Sequence, residues 1–192
     1  GRPVTPQTPF MIGSLTKSFT ALAIMQLVEA GQNELDSPAQ TYLPWFRVAD
    51  PQASSQITVR HLLNQTSGLP QAAGLREQTA HDQSDDALER SVRRLADVAL
   101  ARAPGVAYEY SNVNYSVLGM VVQAVSGQSY EGYVQEHILD SLEMRHSFTS
   151  QSLAIDDGMA NGHITWFGFR LPKTVPFNRG NLPNGYLICS AE

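Results

Sequence analysis

Apolar residues along this chain recur mainly at helical spacing, and glycine, proline or serine separates the segments. The most apolar segment of its length, "FMIGSLTKSFTALAIMQLVEAG" at residues 10–31, predicts a long helix that starts near Ser14 and stops at Gly31. Its apolar residues fall on nearly all sides: Leu15, Phe19, Leu22, Ala23, Ile24, Met25, Leu27 and Val28. Because a helix that is apolar all round belongs in a core, we expect this helix to be buried.

Five further segments have helical patterns, and most of them carry a recognisable start or stop signal. Thr58 and Ser129 are expected to cap two of these helices, and Gly127 to end another. The segment "APGVAYEYSN" is expected to be extended or turn-like because Pro104 and Gly105 interrupt it. The predicted helices cover residues 36–43, 58–68, 84–101, 113–127 and 129–144.

Glycine, proline and asparagine become frequent after Met144, and the best strand candidate, "HITWFGF" at residues 163–169, lies in this part of the chain. Its aromatic residues Trp166, Phe167 and Phe169 could line a substrate cleft, but such a cluster is more often core, which is our expectation. The chain therefore reads as a helical body that contains little of the sheet against which it packs.

The bulk composition fits one globular domain and excludes some classes of partner. The chain has 192 residues, of which 42% are hydrophobic and 16% are charged, and its formal net charge is -5. We expect no nucleic-acid partner, because nucleic-acid binding requires a basic face. No apolar run reaches the ~18 residues of a membrane span, so no span is expected within this chain.

Residues that commonly bind metals are sparse and dispersed. Cys189 is the single cysteine, which excludes an internal disulfide, and we expect it to be buried. No histidine lies at metal-ligand spacing from another histidine or from the cysteine, so we expect neither a metal site nor a catalytic histidine. The histidines are His61, His81, His137, His146 and His163.

A serine and a lysine share one side of the first predicted helix. Ser14 and Lys17 are three residues apart, a spacing that makes side chains neighbours on a helix. An ammonium among apolar residues is costly unless it is paired or deprotonated, and a lysine in that position can act as a base or hold an anion. A base beside a serine turns the hydroxyl into a nucleophile. The helix alone fits equally well a capping serine with a lysine that extends to the surface.

A second polar group, Tyr110 and Asn112, lies where an extended segment meets the next apolar helix. A tyrosine near a positive charge can have a lowered pKa and act as a general base. An asparagine can donate to a substrate carbonyl while it accepts from a lysine. Taken alone, the same residues fit a helix cap at Ser111 or Asn112 with a packing aromatic better than a catalytic group.

The motifs "SLTK" and "YSN", in this order, resemble those of the serine β-lactamase and penicillin-binding-protein superfamily. The resemblance is to the branch of class C β-lactamases, D-alanyl-D-alanine peptidases and related esterases. It extends over most of the chain, because several other stretches are similar to recurring family segments. These are "LDSPAQTYLP", "ITVRHLLNQTSGLP", "PGVAYEYSNVNYSVLGMVVQAVSG" and "PNGYLICSAE".

This resemblance implies an α+β fold of the β-lactamase/transpeptidase type, here mostly the helical subdomain with the nucleophile helix and little of the antiparallel sheet. It implies that Ser14 is the acylated nucleophile, Lys17 the first-motif lysine, Tyr110 the proposed general base and Asn112 a substrate-binding residue. It implies no metal and no organic cofactor, a small-molecule or peptidoglycan-like substrate, and a location outside the cytoplasm.

The chain departs from the family pattern in two places. The segment "DSLEM" (140–144) stands where the family usually has a Pro-Leu-Gly-Met-like turn. The family's third motif, Lys or His, Thr or Ser, then Gly, is absent, because "PKTVP" (172–176) has Val175 in place of the glycine and two prolines that disfavour a central strand. We therefore expect residues 1–192 to form a single partial β-lactamase-like domain, truncated at both ends.

The function predicted from these residues is that of a serine hydrolase that forms an acyl-enzyme with a β-lactam, a D-Ala-D-Ala-type peptide or an ester. Either Tyr110 or Lys17 is the expected acceptor of the Ser14 proton. One alternative is a non-hydrolytic sensor that binds penicillin or peptidoglycan. Another is an inactive structural fragment of such an enzyme.

Overall fold

Helices are the predominant regular elements of the computed structural model, which describes residues 3–74, 81–173 and 175–192. The α-helices are α1 (Thr16–Glu29), α2 (Ala39–Tyr42), α3 (Pro51–Gln56), α4 (Val59–Leu63), α5 (Ala87–Arg93), α6 (Asn112–Ser126), α7 (Tyr130–Val134), α8 (Gln151–Asp156) and α9 (Leu182–Gly185). Short 3-10 turns cover Gly13–Leu15, Arg94–Asp97 and Arg179–Asn181, and a π-helical turn, Gln135–Leu139, follows α7. The strands are β1 (Phe10–Met11), β2 (Gly162–Trp166), β3 (Phe169–Lys173) and β4 (Ile188–Cys189).

Helix α6 lies at the centre of the helical body. Every residue from Val113 to Val122 is buried, and the helix packs against α1, α4, α5, α7 and α9. Its approach to α9 is especially close at Gly119, where a Cβ would lie 2.3 Å from Cγ of Pro183. The absence of a side chain at this position lets α9 reach the first helix as well as α6.

Helix α1 is buried on one side only, so the prediction of burial all round is wrong. Leu22 and Met25 are exposed, whereas the buried side carries polar residues in its first half. Thr20 explains part of this pattern, because its hydroxyl donates to the Pro183 carbonyl (2.7 Å) and accepts from the Tyr130 hydroxyl (2.6 Å). Polar contacts to α9 and α7 therefore orient this helix along with hydrophobic burial.

The strands form two small antiparallel sheets. Strand β1, which precedes α1, pairs with β4, which follows α9. This pairing joins the segments before and after the helical body. Strands β2 and β3 form a hairpin in which Ile164 faces Leu171 and Trp166 faces Phe169. The segment 163–169 is therefore not one strand but most of a hairpin, with its turn at Phe167 and Gly168, two residues that both have positive φ.

The hairpin also corrects the expectation for its aromatic residues. Trp166, Phe167 and Phe169 are 59%, 84% and 70% exposed, so they do not belong to the core. Pro172 lies in β3, where it is tolerated because both strands of a two-stranded sheet are edges. Lys173 ends this exposed strand, and Thr174 of the same "PKTVP" stretch lies outside the described residues.

Several local predictions are confirmed. The Thr58 side chain accepts from the His61 N–H and Ser129 accepts from the Gly132 N–H, while Gly127 ends α6 in the left-handed conformation. Helices α3, α8 and α9 were not predicted, since each has six residues or fewer and too short a pattern to recognise. The α+β class, with a helical body and little sheet, is confirmed. In the part of the chain that is described, no helix is long and apolar enough to cross a membrane.

Candidate active site

Ser14 lies in the 3-10 turn Gly13–Leu15, just before α1, and its residue is exposed. Leu187 fixes the chain on both sides of this turn. The Ile12 N–H donates to the Leu187 carbonyl (3.0 Å), and the Leu187 N–H donates to Oγ1 of Thr16 (3.2 Å). The serine is thereby held at a fixed position relative to β4 while its side chain stays accessible.

Ser14 does not cap the helix, so the alternative of a capping serine is wrong. Leu15 occupies the N-cap position, and it makes no side-chain cap hydrogen bond. The Ser14 Oγ atom instead lies 2.7 Å from the Tyr110 hydroxyl, on a residue 96 positions away in sequence. The hydroxyl is therefore engaged in a long-range contact and not in local helix capping.

Lys17 turns inward, and the alternative of a lysine that extends to the surface is wrong. The residue is 8% exposed, and its Nζ donates to three oxygens of other residues. These are Oγ of Ser14 (3.2 Å), Oδ1 of Asn112 (2.8 Å) and the carbonyl of Asn184 (2.5 Å). Three acceptors match the three N–H bonds of an ammonium group, so its buried charge is paired with oxygen dipoles.

Tyr110 and Asn112 reach the same point from the start of α6. Ser111 occupies the N-cap position but makes no side-chain cap hydrogen bond; its hydroxyl donates to the Pro70 carbonyl (3.0 Å). The Tyr110 ring is also near the lysine, whose Nζ lies 5.0 Å from the ring centroid. The sequence-predicted residues Ser14, Lys17, Tyr110 and Asn112 therefore come together in one cluster around the Ser14 hydroxyl.

The cluster shifts the acidity of both titratable groups in it. Burial lowers the pKa of the Lys17 ammonium below its usual 10.5, although its interactions with Tyr110 oppose the shift. Burial acts to raise the pKa of the Tyr110 hydroxyl, but its interactions with Lys17 and Ser14 outweigh that effect and leave the pKa below its usual 10.0. Because both pKa values are lowered, the deprotonated form of each side chain, which can accept a proton, is more populated near neutral pH.

This arrangement provides the parts of an activated nucleophile. An exposed hydroxyl has a phenol oxygen at hydrogen-bond distance on one side and an amine on the other. A group of lowered pKa at that distance can accept the hydroxyl proton as the oxygen attacks an electrophile. The remaining positive charge on the lysine can stabilise the phenolate or alkoxide that forms.

Several polar residues that support the cluster were missed by the sequence analysis. Asn184, in α9, supplies its carbonyl to Lys17, and its side-chain amide donates to Ser116 (3.0 Å) and Asn181 (3.1 Å). Gln65 contacts the start of α6 from the segment after α4. A sequence signal for such residues did exist, since an amide side chain such as Asn114 stands among the apolar residues of α6. This signal does not indicate which residue the amide contacts.

Three of the other residues weighed in the sequence analysis have structural roles in the described part of the chain. His61 completes the capping box of α4 with Thr58, and His146 pairs with Asp157 (2.8 Å). Cys189 is buried as expected, and burial raises the pKa of its thiol. Among the described residues, no group of three or more His, Cys, Asp or Glu side chains is arranged to hold a metal ion.

Comparison with known proteins places this architecture. The family model described as Beta-lactamase matches residues 1–192, the whole chain. The chain is 32% identical over 195 residues to protein flp of Staphylococcus aureus (strain MW2), covering 98% of this chain and 37% of flp. It is 33% identical over 168 residues to penicillin-binding protein 4 of Amycolatopsis lactamdurans, covering 88% of this chain and 43% of that protein.

A solved structure of a related protein has a similar fold. The octameric penicillin-binding protein homologue from Pyrococcus abyssi superposes with a TM-score of 0.78 at 33% identity, covering 98% of this chain and 44% of that one. The chain thus spans less than half the length of these relatives. The full-length match to the family model and the shared β-lactamase/transpeptidase-like fold support one conclusion: the chain belongs to the serine β-lactamase and penicillin-binding-protein superfamily.

Proposed function

We propose that this chain carries the nucleophile, Ser14, of a serine hydrolase that works through an acyl-enzyme. The observation that carries the proposal is the contact of the Ser14 hydroxyl with both Tyr110 (2.7 Å) and Lys17 (3.2 Å). Ser14 Oγ attacks a carbonyl carbon and its proton passes to a neighbouring base. Collapse of the tetrahedral intermediate expels the leaving group with a proton, and water then releases the acyl group from Ser14.

Tyr110 is the better candidate for the base. Its oxygen is closer to Ser14 Oγ than the lysine nitrogen is, and its pKa is lowered. Lys17 contacts three oxygen acceptors, which suits a charged donor that stabilises a phenolate. Asn112 keeps Lys17 oriented through Oδ1, and in this proposal its amide N–H group contacts the substrate carbonyl.

The proposed substrate is an acyl donor of the β-lactam, D-Ala-D-Ala-type peptide or ester class. The family assignment supports this range, and the names of two of the compared relatives refer to penicillin binding. A substrate of peptidoglycan type accords with action outside the cytoplasm, which is the typical location for the family and our proposal for this protein.

The proposal is tested by treating the 192-residue chain separately with a fluorescent penicillin and a fluorophosphonate, followed by intact-mass spectrometry. We expect one adduct per chain, lost in Ser14→Ala and retained in Ser18→Ala, which removes an exposed serine four positions further on, in the first turn of α1. Absence of any adduct on the folded chain, or an adduct that persists in Ser14→Ala, contradicts the proposal.

A second candidate, a penicillin-binding sensor without turnover, accords equally with the same relatives' names, which refer to penicillin binding alone. The two functions differ in the fate of the acyl group, because a hydrolase releases it and a sensor retains it. Following the penicillin adduct by mass over time separates them. Loss of the adduct with recovery of free Ser14 supports the hydrolase, and an adduct that persists supports the sensor.

A further inference from the structure

Gln65 has a backbone conformation that needs an explanation. Its φ is +63°, in the left-handed region that residues other than glycine, asparagine and aspartate seldom adopt. The residue is also buried. Such strain persists only where surrounding contacts impose it, and it is concentrated at functional sites. The residue lies just after α4, outside the cluster around Ser14.

The contacts of Gln65 fall on both sides of Tyr110. Its backbone carbonyl accepts from the Glu109 N–H at 2.8 Å. Its side-chain Oε1 accepts from the Ser111 N–H at 2.9 Å and from Nδ2 of Asn114 at 2.6 Å. One residue therefore holds the chain immediately before and immediately after the tyrosine, and it also holds the first turn of α6.

The left-handed conformation lets Gln65 accept hydrogen bonds from this segment with both its backbone carbonyl and its side chain. A second layer of hydrogen bonds holds the amide network in place: Ser67 donates through its hydroxyl to Oδ1 of Asn114 at 2.6 Å. Ser67, Ser111 and Asn114 are each fully buried, so water cannot replace a lost partner without a rearrangement.

We propose that Gln65 is the positioning residue that sets the distance between Tyr110 and Ser14. Tyr110 lies in a segment without regular secondary structure, so the packing of a helix or strand does not fix its backbone. The contacts from Gln65 to residues 109 and 111 supply that constraint. The inference rests on the proposed role of Tyr110 as the proton acceptor, and it adds a residue that acts by holding the segment that carries Tyr110.

The variant that tests this role is Gln65→Asn, because asparagine tolerates the left-handed conformation but is one methylene too short to reach the Ser111 N–H. The matched control is Ser54→Ala. Ser54 is also buried. Its hydroxyl accepts from the Val48 N–H and donates to the Asp50 carbonyl, away from the Ser14 cluster. Both changes break buried hydrogen bonds, but only those of Gln65 are connected to the segment of Tyr110.

Two measurements are made on each chain: the rate of fluorophosphonate labelling as a function of pH, and the titration of Tyr110 by NMR of ¹³Cζ-labelled tyrosine, assigned with Tyr110→Phe. For Gln65→Asn we expect labelling about 10- to 100-fold slower, as a displacement of roughly 1 Å causes, and a Tyr110 pKa closer to that of free tyrosine. For Ser54→Ala we expect the wild-type rate and titration.

The outcomes separate this inference from the proposed function. If the wild-type chain is labelled and Gln65→Asn behaves like Ser54→Ala, the positioning role is overturned while the hydrolase proposal stands. If the wild-type chain is not labelled, the hydrolase proposal fails, and the NMR titration still decides whether Gln65 controls Tyr110. Should Gln65→Asn not fold, hydrogen exchange of the wild-type chain decides: a Ser111 amide that exchanges as fast as an unprotected one overturns the inference.

Discussion

Around Lys17 the buried groups are polar and paired, whereas in the β2–β3 hairpin the exposed groups are apolar and face outward. The lysine is 8% exposed and contacts three oxygens, which come from the start of α1, from α6 and from α9. Phe167 at the hairpin turn is 84% exposed, and its ring contact is with the adjacent Trp166 (4.9 Å between centroids).

The two regions therefore differ in how their side-chain positions are fixed. Two of the three hydrogen bonds at Lys17, those to Asn112 and Asn184, join segments that are distant in sequence, so a change in one helix alters the geometry of the others. The hairpin residues contact mainly their own hairpin partners across a two-stranded sheet. Substitutions near Lys17 should consequently affect chemistry and stability together, and substitutions in the hairpin should remain local.

The largest effect is expected for Tyr110→Phe, which removes the hydroxyl beside Ser14 and little else. If Tyr110 is the proton acceptor, as proposed, it works in its deprotonated form, and the wild-type labelling rate should rise with pH through the lowered pKa of Tyr110. It should fall again once Lys17 loses its proton. In Tyr110→Phe the rising limb disappears, and the rate of fluorophosphonate labelling drops by about 10²- to 10⁴-fold.

The control for this experiment is Tyr108→Phe, which removes an exposed phenol two positions away in the same segment. Its rate and pH profile should match those of the wild-type chain. If Tyr110→Phe retained the rising limb, Lys17 and not Tyr110 would be the acceptor of the Ser14 proton.

A smaller effect on both stability and chemistry is expected for Gly119→Ala in the middle of α6. Alanine normally stabilises a helix interior relative to glycine, but here its Cβ would lie 2.3 Å from Cγ of Pro183. The clash should push α9, and with it the Asn184 carbonyl, away from Lys17. We expect a loss of about 1–3 kcal/mol in the free energy of unfolding, measured by urea denaturation, together with slower labelling of Ser14. A stabilised variant would contradict the close packing of α6 and α9.

The parts of the site that could be predicted from sequence were those with local spacing or a recognisable motif. Ser14 and Lys17 are three residues apart, and the motif around Tyr110 and Asn112 carried a family resemblance. The Asn184 contact could not be predicted, since it lies 167 positions from Lys17 and uses a backbone carbonyl that no residue type marks. The Gln65 contact spans 46 positions and depends on an unusual φ.

The same limit applies to the fold. Caps at Thr58 and Ser129 follow from local hydrogen bonding and were predicted correctly. The orientation of α1 was not, because its apolar residues surround the helix and only tertiary contacts, such as those of Thr20, decide which side is buried. The hairpin was read as one strand because Phe167 is an unusual residue for a turn with positive φ.

Gly168→Ala in the hairpin turn is the counterpart of Gly119→Ala, because the two glycines are required for different reasons. A Cβ at Gly168 would meet no atom within 4 Å, but the residue has φ +82°. We expect a local cost of about 1 kcal/mol from the left-handed conformation alone, seen as faster hydrogen exchange of the β2–β3 amides. The labelling rate of Ser14 should not change. A change in that rate would show that the hairpin and the site are coupled.

The smallest effect is expected for Trp166→Thr, which removes the largest apolar side chain of the hairpin while it keeps a residue suited to a strand. Because Trp166 is 59% exposed, its removal should change the free energy of unfolding by less than about 0.5 kcal/mol in urea denaturation. The buried counterpart is Leu118→Ala in α6, a fully buried position where about 2–5 kcal/mol should be lost. If Trp166→Thr were instead as costly as Leu118→Ala, the tryptophan would be covered in solution, and the hairpin would have to be treated as part of a packed interface.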